Sequence, residues 1–219
     1  MKILLVIPAF DEEPTIRGLV EGARKFVPDV LVVDDGSNDA TTLTAGLAGA
    51  MIDRVNENRG KGEALKRAFE FALSQGYDVV LTMDGDGQHD PADLANFLPI
   101  LDQYDLILGN RMSEAEKVPL LRRIANQSAS IMVSILCGRR IYDSQTGYRA
   151  YSADLLRGIK LTSSRYDLES EVIIKAARKG LRIGHTHIQT IYGTEVSRFR
   201  IFIDSVRFLR VVFKSLTWW

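Results

Sequence analysis

The sequence predicts an α/β protein with a mostly parallel central sheet and helices on both faces. Continuous apolar runs at residues 3–7, 30–33 and 79–83 are typical of strands buried on both faces. Between these runs lie segments whose apolar residues recur at helical spacing. Strands that alternate with helices in this way predict parallel strands joined by right-handed crossovers.

The first half of the chain supplies most of this pattern. Apolar positions over residues 16–27 form the stripe of a first helix, and residues 39–50, rich in Ala, Thr and Leu, predict a second. A short strand is predicted at residues 51–55. A third helical stripe covers residues 64–73, and Gly76 ends that helix.

The second half begins with a helix whose start is well marked. Asp90 is placed as its N-cap and Pro91 as its first residue, and its apolar positions run to residue 101. The further predicted elements are a strand at 106–108, a polar segment at 112–118, a long helix at 119–137, a strand at 148–151, a helix at 166–179 ended by Gly180, and a strand at 181–191.

We predict one domain over residues 1–197 and an amphipathic C-terminal helix over residues 198–219. The apolar positions of this tail follow one helical face, and its basic residues cluster elsewhere on the same helix. That pattern is typical of a helix lying in a membrane interface, but equally of a helix docked on the domain or on the second subunit of a homodimer. The apolar residues are Phe202, Val206, Leu209, Phe213 and Leu216, and the basic ones are Arg200, Arg207, Arg210 and Lys214.

Composition restricts the compartment and the partners. The chain has 28 Lys and Arg against 28 Asp and Glu, so it lacks the basic excess of a general nucleic-acid binder, and we expect no nucleic-acid partner. Cys137 is the single cysteine, which excludes an internal disulfide, and Met1 leads directly into a strand instead of a signal peptide. We therefore expect a cytoplasmic protein, with the tail as its one route to the cytoplasmic face of a membrane.

Four loops that carry acidic residues or glycine follow predicted strands, so they are expected at one edge of the sheet, where open α/β folds bind ligands. A lone Asp after a strand is usually a helix cap or a turn residue. Asp84 and Asp86, however, share one loop, and a divalent cation would relieve the repulsion between them. We predict that these two carboxylates hold a metal against a diphosphate. The loops are residues 8–12, 34–37, 84–90 and 109–111.

Other phosphate and metal motifs fit the sequence less well. An EF-hand loop starting at Asp84 would need Gly at position 89 and Glu at position 95, where the chain has His89 and Ala95. Lys61 is followed by Gly62, which excludes a P-loop, and no Gly-x-Gly-x-x-Gly follows the first strand. Asp-Gly-Asp-Gly also resembles the nucleophile loop of haloacid-dehalogenase-type phosphatases, although that loop usually follows an early strand. A phosphatase-like or non-catalytic nucleotide-binding domain therefore stays open as an alternative.

Six short motifs carry a family resemblance. They are Ile-Pro-Ala-Phe-Asp-Glu at 7–12, Val-Asp-Asp-Gly-Ser at 33–37, Asn-Arg-Gly-Lys-Gly at 58–62, Asp-Gly-Asp-Gly-Gln at 84–88, Gly-Asn-Arg at 109–111 and Asp-Ser-Gln-Thr-Gly-Tyr-Arg-Ala at 143–150. In this order the first five resemble the motifs of family 2 glycosyltransferases, and the chain looks most like the dolichyl- or polyprenyl-phosphate mannose synthase branch. The sixth motif resembles the Ser-Gly-Phe-Arg-Ala segment of that branch, with Thr146 and Tyr148 as conservative departures. The resemblance covers nearly the whole chain and implies a GT-A-type nucleotide-diphospho-sugar transferase fold.

The resemblance also implies roles for individual residues. Asp86, Arg111 and Asp143 would be catalytic, and Asp84, Asp86 and Gln88 would hold Mg²⁺ or Mn²⁺. Arg122, Asn126 and Arg149 would face the acceptor, although the family often has Ser at the position of Asn126. The nucleotide-sugar contacts would be Pro8, Phe10, Glu12, Val33, Asp35, Lys61, Asp84, Gly85, Asp86 and Arg111.

The implied reaction displaces a nucleoside diphosphate from an anomeric carbon with inversion. The metal would act as a Lewis acid, and Arg111 and Lys61 would add positive charge, although Lys61 is equally well interpreted as a solvated helix start. A hydroxyl acceptor would need a base, for which Asp143 is the candidate, although Asp143 is equally well interpreted as a turn or helix-side carboxylate. A phosphate acceptor would need no base. His185 and His187 are interpreted as structural.

We hypothesise that the protein moves a hexose from a nucleotide-sugar, with GDP-mannose favoured, to a polyprenyl or dolichyl phosphate at a membrane surface. Within the same class, a UDP-glucose-dependent transferase acting on a lipid phosphate or a soluble hydroxyl stays open.

Overall fold

The computed structural model of the protein describes residues 1–111, 120–163, 167–189 and 191. Its strands form one seven-stranded sheet in the order β3-β2-β1-β4-β6-β5-β7. Within this sheet β6 pairs antiparallel with both of its neighbours and every other pairing is parallel, so the predicted mostly parallel α/β fold is confirmed. The strands are β1 (Ile3–Ala9), β2 (Asp29–Asp34), β3 (Met51–Arg54), β4 (Val79–Thr82), β5 (Leu106–Asn110), β6 (Arg149–Ser152) and β7 (Ile183–His187).

Helices cover both faces of the sheet, as predicted. One buried apolar cluster lies between the sheet and α1, α2 and α4, and a second lies between the sheet and α3, α5, α6 and α7. The helices are α1 (Glu13–Ala23), α2 (Thr41–Leu47), α3 (Lys61–Ser74), α4 (Leu94–Phe97), α5 (Leu120–Cys137), α6 (Ala153–Gly158) and α7 (Asp167–Arg178).

The first strand shows why its sequence is apolar without interruption. Leu4 and Val6 enter one cluster, while Leu5 and Ile7 enter the other, because successive side chains of a strand point to opposite faces. All four side chains are fully buried. A strand covered on both sides needs apolar residues at every position.

The segment after β4 departs from its prediction. Asp90 is the expected N-cap, since its side chain accepts a hydrogen bond from the Ala92 amide at 2.9 Å. The continuous helix expected up to residue 101 is nevertheless broken into α4 and two flanking 3-10 turns, Pro91–Asp93 and Leu98–Ile100. Pro99 lies in the second turn, and proline inside a helix removes a hydrogen bond and clashes with the preceding turn.

Two other elements are shorter than predicted. The helix expected at residues 39–50 is Thr41–Leu47, and the strand expected at 181–191 is Ile183–His187. The predictions for the polar segment 112–118 and the tail 198–219 lie outside the described residues, so the division into domains stays a prediction. None of the helices in the described ranges has the length and apolar character that crossing a bilayer requires.

The reversed strand β6 determines what lies at the ligand-binding edge. Because β6 runs against the others, its first residue and the preceding loop lie beside the carboxyl ends of β4 and β5. The Thr82 hydroxyl donates to the Gly147 carbonyl at 2.8 Å, and the Gly109 amide donates to the Tyr148 carbonyl at 2.9 Å. The loop at residues 143–148 therefore joins the strand-end loops predicted to form the site.

Candidate active site

The predicted loops meet at the carboxyl edge of the sheet. The Thr15 hydroxyl donates to the Gly85 carbonyl at 2.6 Å, and a Cβ on Gly85 would lie 3.1 Å from the Pro8 carbonyl oxygen. The Asp11 amide donates to the Ser37 hydroxyl at 2.9 Å, which joins the 8–12 loop to the 34–37 loop. These contacts confirm the predicted clustering for three of the four loops, 8–12, 34–37 and 84–90.

Asp84 is paired with a buried cation at this edge. The Lys61 Nζ lies 2.6 Å from Asp84 Oδ1 and 3.0 Å from Glu169 Oε1, and the Lys61 side chain is only 15% exposed. On its other side, Asp84 Oδ2 lies 3.7 Å from His89 Nε2. The interpretation of Lys61 as a solvated helix start is therefore wrong, because two carboxylates hold its ammonium inside the fold.

The two aspartates of the loop differ in how readily they carry charge. Burial opposes ionisation of Asp84, but the Lys61 ammonium and the His89 side chain outweigh it and hold the pKa of Asp84 well below its usual range. Burial and the nearby Asp84 charge together raise the pKa of Asp86. The predicted repulsion between the two carboxylates therefore acts mainly on the charged form of Asp86. A second cation at this loop would stabilise that charged form.

The chemistry of this loop fits Mg²⁺ or Mn²⁺. The described residues contain no group of three or more His, Cys, Asp or Glu side chains arranged to hold a metal, so protein ligands alone do not complete a site there. Two carboxylates completed by phosphate oxygens and water are a usual environment for Mg²⁺. Gln88, the third predicted ligand, donates its backbone amide to Asp86 Oδ1 at 3.0 Å and so orients that carboxylate.

Gly147 leaves space for the Asp84 carboxylate. A Cβ at position 147 would collide with both carboxylate oxygens of Asp84. Glycine is therefore required here by close approach and not by an unusual backbone angle. The sequence motif at 143–150 contains this glycine, but nothing in the sequence says which side chain it faces.

Arg111 and Asp143, both predicted to be catalytic, are joined in a bidentate ion pair. Arg111 Nε lies 2.7 Å from Asp143 Oδ2, and Arg111 Nη2 lies 3.1 Å from Asp143 Oδ1. Asp143 is fully buried, which opposes its charge, but the Arg111 guanidinium outweighs burial and lowers the pKa of Asp143. A buried carboxylate with both oxygens engaged is suited to orienting Arg111 and poorly suited to removing a proton.

Two predicted ligand contacts have no exposed surface. The Val33 side chain is fully buried in the core cluster beside α3. Arg149 is also fully buried, and its guanidinium donates to the carbonyls of Thr146, Ser144 and Glu169 at 2.7, 2.9 and 2.8 Å. Arg149 braces the 143–148 loop, so direct contact of either side chain with a ligand is not supported by this structure.

The loop that carries Lys61 is anchored by Asp35. The carboxylate of Asp35 accepts the amide hydrogens of Arg59 and Gly60 at 2.9 and 2.7 Å. Gly60 has φ 94°, a backbone conformation that favours glycine, and α3 starts at the next residue. Asp35 thus helps to place Lys61, while its predicted contact with the nucleotide stays a prediction.

The remaining predicted residues lie on the first loop and on α5. Pro8, Phe10 and Glu12 are half-buried on the first loop, and Asn126 is half-buried on α5. The side chain of Arg122 lies outside the described part of the chain.

The structural interpretation of the strand histidines agrees with the geometry of His185. Burial lowers the pKa of His185 to about 4, and its Nε2 accepts the Tyr142 amide hydrogen at 3.4 Å.

Sequence reasoning missed the part that Glu169 plays and gave His89 no role at the site. Glu169 is 6% exposed and approaches the site from α7, more than 80 residues after Asp84. A single acid in an amphipathic helix carries no signal for such a contact. His89 is 2% exposed, and its ring packs against Tyr148 at a centroid distance of 5.2 Å.

Comparison with known proteins identifies the family. The family model described as glycosyl transferase family 2 matches residues 4–163. The chain belongs to this family. It is therefore a glycosyltransferase, and the phosphatase-like and non-catalytic alternatives are set aside.

Two curated relatives are similar over most of their length. A UDP-N-acetylglucosamine–dolichyl-phosphate N-acetylglucosaminyltransferase from Methanococcus voltae is 33% identical over 223 residues, covering 90% of this chain and 88% of the relative. An undecaprenyl-phosphate mannosyltransferase from Micrococcus luteus is 34% identical over 197 residues, covering 84% and 81%.

A solved structure supports the predicted GT-A-type fold. Glucosyl-3-phosphoglycerate synthase from Mycobacterium tuberculosis, crystallised with Mn²⁺, UDP-glucose and phosphoglyceric acid, matches with a TM-score of 0.80 and 21% identity. The match covers 98% of this chain and 79% of that one.

Replacing Gly147 by alanine should displace the Asp84 side chain from Lys61. We expect the free energy of unfolding to fall by about 1–3 kcal/mol, the usual cost of forcing a methyl group into a packed site. Thermal and urea unfolding measure this loss. Gly158→Ala is the matched control, because no atom lies within 4 Å of a Cβ at position 158. Equal stability of the two variants would contradict the close approach of residue 147 to Asp84.

Replacing Arg111 by glutamine should leave a buried carboxylate without its main partner. At neutral pH we expect the free energy of unfolding to fall by about 3–5 kcal/mol, the scale for breaking a buried ion pair. In the wild type, the lowered pKa of Asp143 contributes stability that is present above its unfolded pKa and lost on acidification. In the variant, burial of Asp143 without Arg111 should raise the pKa of Asp143. Protonation of Asp143 at lower pH should then make the folded state more stable.

The difference in stability between wild type and Arg111→Gln should therefore shrink as the pH falls from 7 towards about 4. Urea unfolding at several pH values measures it. Arg182→Gln serves as the control, because it breaks an ion pair with Asp105 in which the Arg182 side chain is 59% exposed, and it should cost far less stability than Arg111→Gln. A pH-independent difference would argue against the Arg111–Asp143 pair.

Proposed function

We propose that the protein is a metal-dependent inverting glycosyltransferase that moves a hexose from a nucleotide-sugar to a polyprenyl or dolichyl phosphate. The observation that carries the proposal is the pair Asp84 and Asp86 at the carboxyl edge of the sheet, with the cationic groups Lys61 and Arg111 held by acids of the same edge. Both curated relatives are named for a lipid phosphate, dolichyl phosphate in one and undecaprenyl phosphate in the other, which supports the acceptor class.

GDP-mannose is the donor we favour, in line with the mannosyltransferase relative. A UDP-sugar is the second candidate, because the other curated relative is named for UDP-N-acetylglucosamine and the solved structure was crystallised with UDP-glucose. Phe10 offers an aromatic face that stacks equally well on a purine or a pyrimidine, so the site residues do not favour either base.

Asp84 and Asp86 would hold Mg²⁺ or Mn²⁺ together with the donor diphosphate. When bound, the metal would supply Lewis-acid stabilisation of the charge that develops on the departing diphosphate. Lys61 and Arg111 would add positive charge at the same oxygens, and the Asp143 carboxylate would keep the Arg111 guanidinium oriented.

A phosphate acceptor suits this set of residues better than a hydroxyl acceptor. A hydroxyl group would need a base in reach, and Asp143 is fully buried with both oxygens occupied by Arg111. A phosphate monoester has a second pKa of about 6 and is largely a dianion at neutral pH, so it attacks without a protein base. Asp143 is therefore assigned to orienting Arg111 and not to proton removal.

The proposal is tested by a donor and acceptor screen. We expect GDP-mannose or a UDP-hexose to raise the melting temperature in the presence of Mn²⁺, because a ligand that binds only the folded state stabilises it. The same donor should label a short-chain polyprenyl phosphate in a detergent assay, while the matching polyprenol is left unlabelled. Transfer to the polyprenol with none to its phosphate would contradict the assignment of the acceptor.

Replacing Asp86 by asparagine removes one carboxylate with little change in shape. We expect kcat for the donor found in the screen to fall by about 10²–10³-fold, the scale for losing one group that stabilises developing charge. Asp154→Asn is the control, since its side chain is 93% exposed. Full activity of Asp86→Asn would remove the metal site from the proposal.

We further propose that the tail at residues 198–219 holds the enzyme at the membrane surface where a lipid phosphate lies. Deleting residues 198–219 should reduce flotation with anionic vesicles by most of its wild-type value, because the deletion removes both the apolar face and the basic residues. Circular dichroism of the truncated protein checks that the domain stays folded. Unchanged flotation would contradict the membrane role, and a dimer lost on truncation would assign the tail to a subunit contact instead.

A further inference from the structure

Lys61, Asp84 and Glu169 form a group of charged side chains of low exposure, here called the Lys61 cluster. The Lys61 ammonium lies between the two carboxylates, at 2.6 Å from Asp84 Oδ1 and 3.0 Å from Glu169 Oε1. The side chains of Lys61 and Glu169 are 15% and 8% exposed, so water screens these charges weakly. The three groups therefore form one coupled set of charges beside the predicted metal loop.

The position of Lys61 in its own helix does not account for this placement. Lys61 is the first residue of α3, where the helix dipole disfavours a cation. What holds the ammonium is the pair of acids from two other parts of the chain, the loop after β4 and the helix α7. Tertiary packing has therefore placed the Lys61 ammonium on Asp84, the carboxylate predicted to bind a metal ion.

Glu169 is itself well fixed. The Arg149 Nη1 donates to the Glu169 carbonyl at 2.8 Å, and Arg149 Nε lies 3.9 Å from Glu169 Oε1. Arg149 is fully buried and bound to two further carbonyls of the 143–148 loop. Glu169 is thus anchored by Arg149, whereas Lys61 reaches the cluster on a four-carbon stem with several rotatable bonds.

A divalent metal that reaches Asp84 must compete with the Lys61 ammonium for the same carboxylate. With metal alone, displacing Lys61 would leave two cations close together at low exposure, which is unfavourable. With a diphosphate present, the ammonium gains a new anionic partner while Glu169 keeps it near the site. The metal and the diphosphate should then bind with positive coupling.

We propose that Lys61 is a stand-in cation for Asp84, held by Glu169 as a positioning residue, and that its transfer to the diphosphate couples metal binding to donor binding. The inference rests on the proposed function, since it takes Asp84 as a metal ligand and a nucleoside diphosphate as the leaving group. Because coupling between two ligands is reciprocal, Mn²⁺ should tighten diphosphate binding by the same factor as the diphosphate tightens Mn²⁺ binding.

The test measures Mn²⁺ binding by electron paramagnetic resonance titration, first without nucleotide and then with UDP or GDP. Lys61→Met removes the stand-in cation at nearly constant volume. We expect the variant to bind Mn²⁺ alone about tenfold more tightly than the wild type, because the competing charge is gone. The enhancement of Mn²⁺ binding by the nucleotide should fall by about the same factor.

Two further variants separate the cluster from general charge effects. Lys66→Met removes a positive charge from the same helix, where Lys66 pairs with Glu63, and should leave Mn²⁺ affinity unchanged. Glu169→Gln leaves Asp84 as the acid that holds Lys61, so Mn²⁺ alone should bind no more tightly than to the wild type. Tighter Mn²⁺ binding by Glu169→Gln would overturn its assignment as the positioning residue.

Loss of folding is controlled by the double variant Lys61→Met/Glu169→Gln, which removes both charges of the buried pair together. Circular dichroism and thermal unfolding establish that it is folded, and its affinity for Mn²⁺ alone should still exceed that of Glu169→Gln. One outcome would contradict the stand-in role alone: Lys61→Met binds Mn²⁺ no more tightly than the wild type, and the double variant no more tightly than Glu169→Gln. If UDP or GDP still enhances Mn²⁺ binding in that case, the proposed function stands. If no variant and no wild-type sample binds Mn²⁺ with either nucleotide, the metal-dependent function fails, and the inference fails with it.

Discussion

The repulsion between two carboxylates in one short loop is the constraint on which the site depends. Asp84 and Asp86 lie where the buried strand β4 ends, and burial makes each charge costly to maintain. The fold compensates Asp84 with the Lys61 ammonium and leaves Asp86 with a raised pKa. The site is therefore built around an electrostatic imbalance that favours the arrival of positive charge.

The second acid–base pair of the edge is balanced within the protein. Arg111 and Asp143 satisfy each other through two hydrogen bonds, and the Gln145 amide adds a third to the carboxylate at 3.0 Å. A guanidinium held in this way presents a fixed charge and needs no reorganisation when negative charge develops nearby. The edge therefore combines an ion pair whose charges are balanced with an acidic loop in which the pKa of Asp86 is raised.

The Lys61–Asp84 and Arg111–Asp143 ion pairs both depend on the antiparallel strand β6. Since β6 runs against its neighbours, the loop before it reaches the edge where the parallel strands end. Gly147 then lies directly against Asp84, and the buried Arg149 ties this loop to Glu169 of α7. The buried Arg149 thereby connects the loop that carries Asp143 to helix α7, whose Glu169 pairs with Lys61.

Local pattern in the sequence determined the elements and the edge of the sheet at which the acidic loops meet. Uninterrupted apolar runs such as Leu4–Ile7 specify strands covered on both faces, and residues that directly follow such strands must lie at the carboxyl edge of a parallel sheet. The Asp84 and Asp86 pair could be recognised for the same reason, because its members are two positions apart. Even so, Pro99 broke a helix that periodicity alone predicted to continue.

Tertiary structure alone decided which charges meet. Lys61, Asp84 and Glu169 come from a helix start, a strand end and a distant helix, so no spacing in the sequence relates them. The same holds for Val33 and Arg149, whose side chains are fully buried in the structure although motif resemblance placed them in contact with a ligand. The physical reason is that local periodicity reports which side of an element is buried, whereas the partner of a buried charge is chosen by packing between elements far apart in the chain.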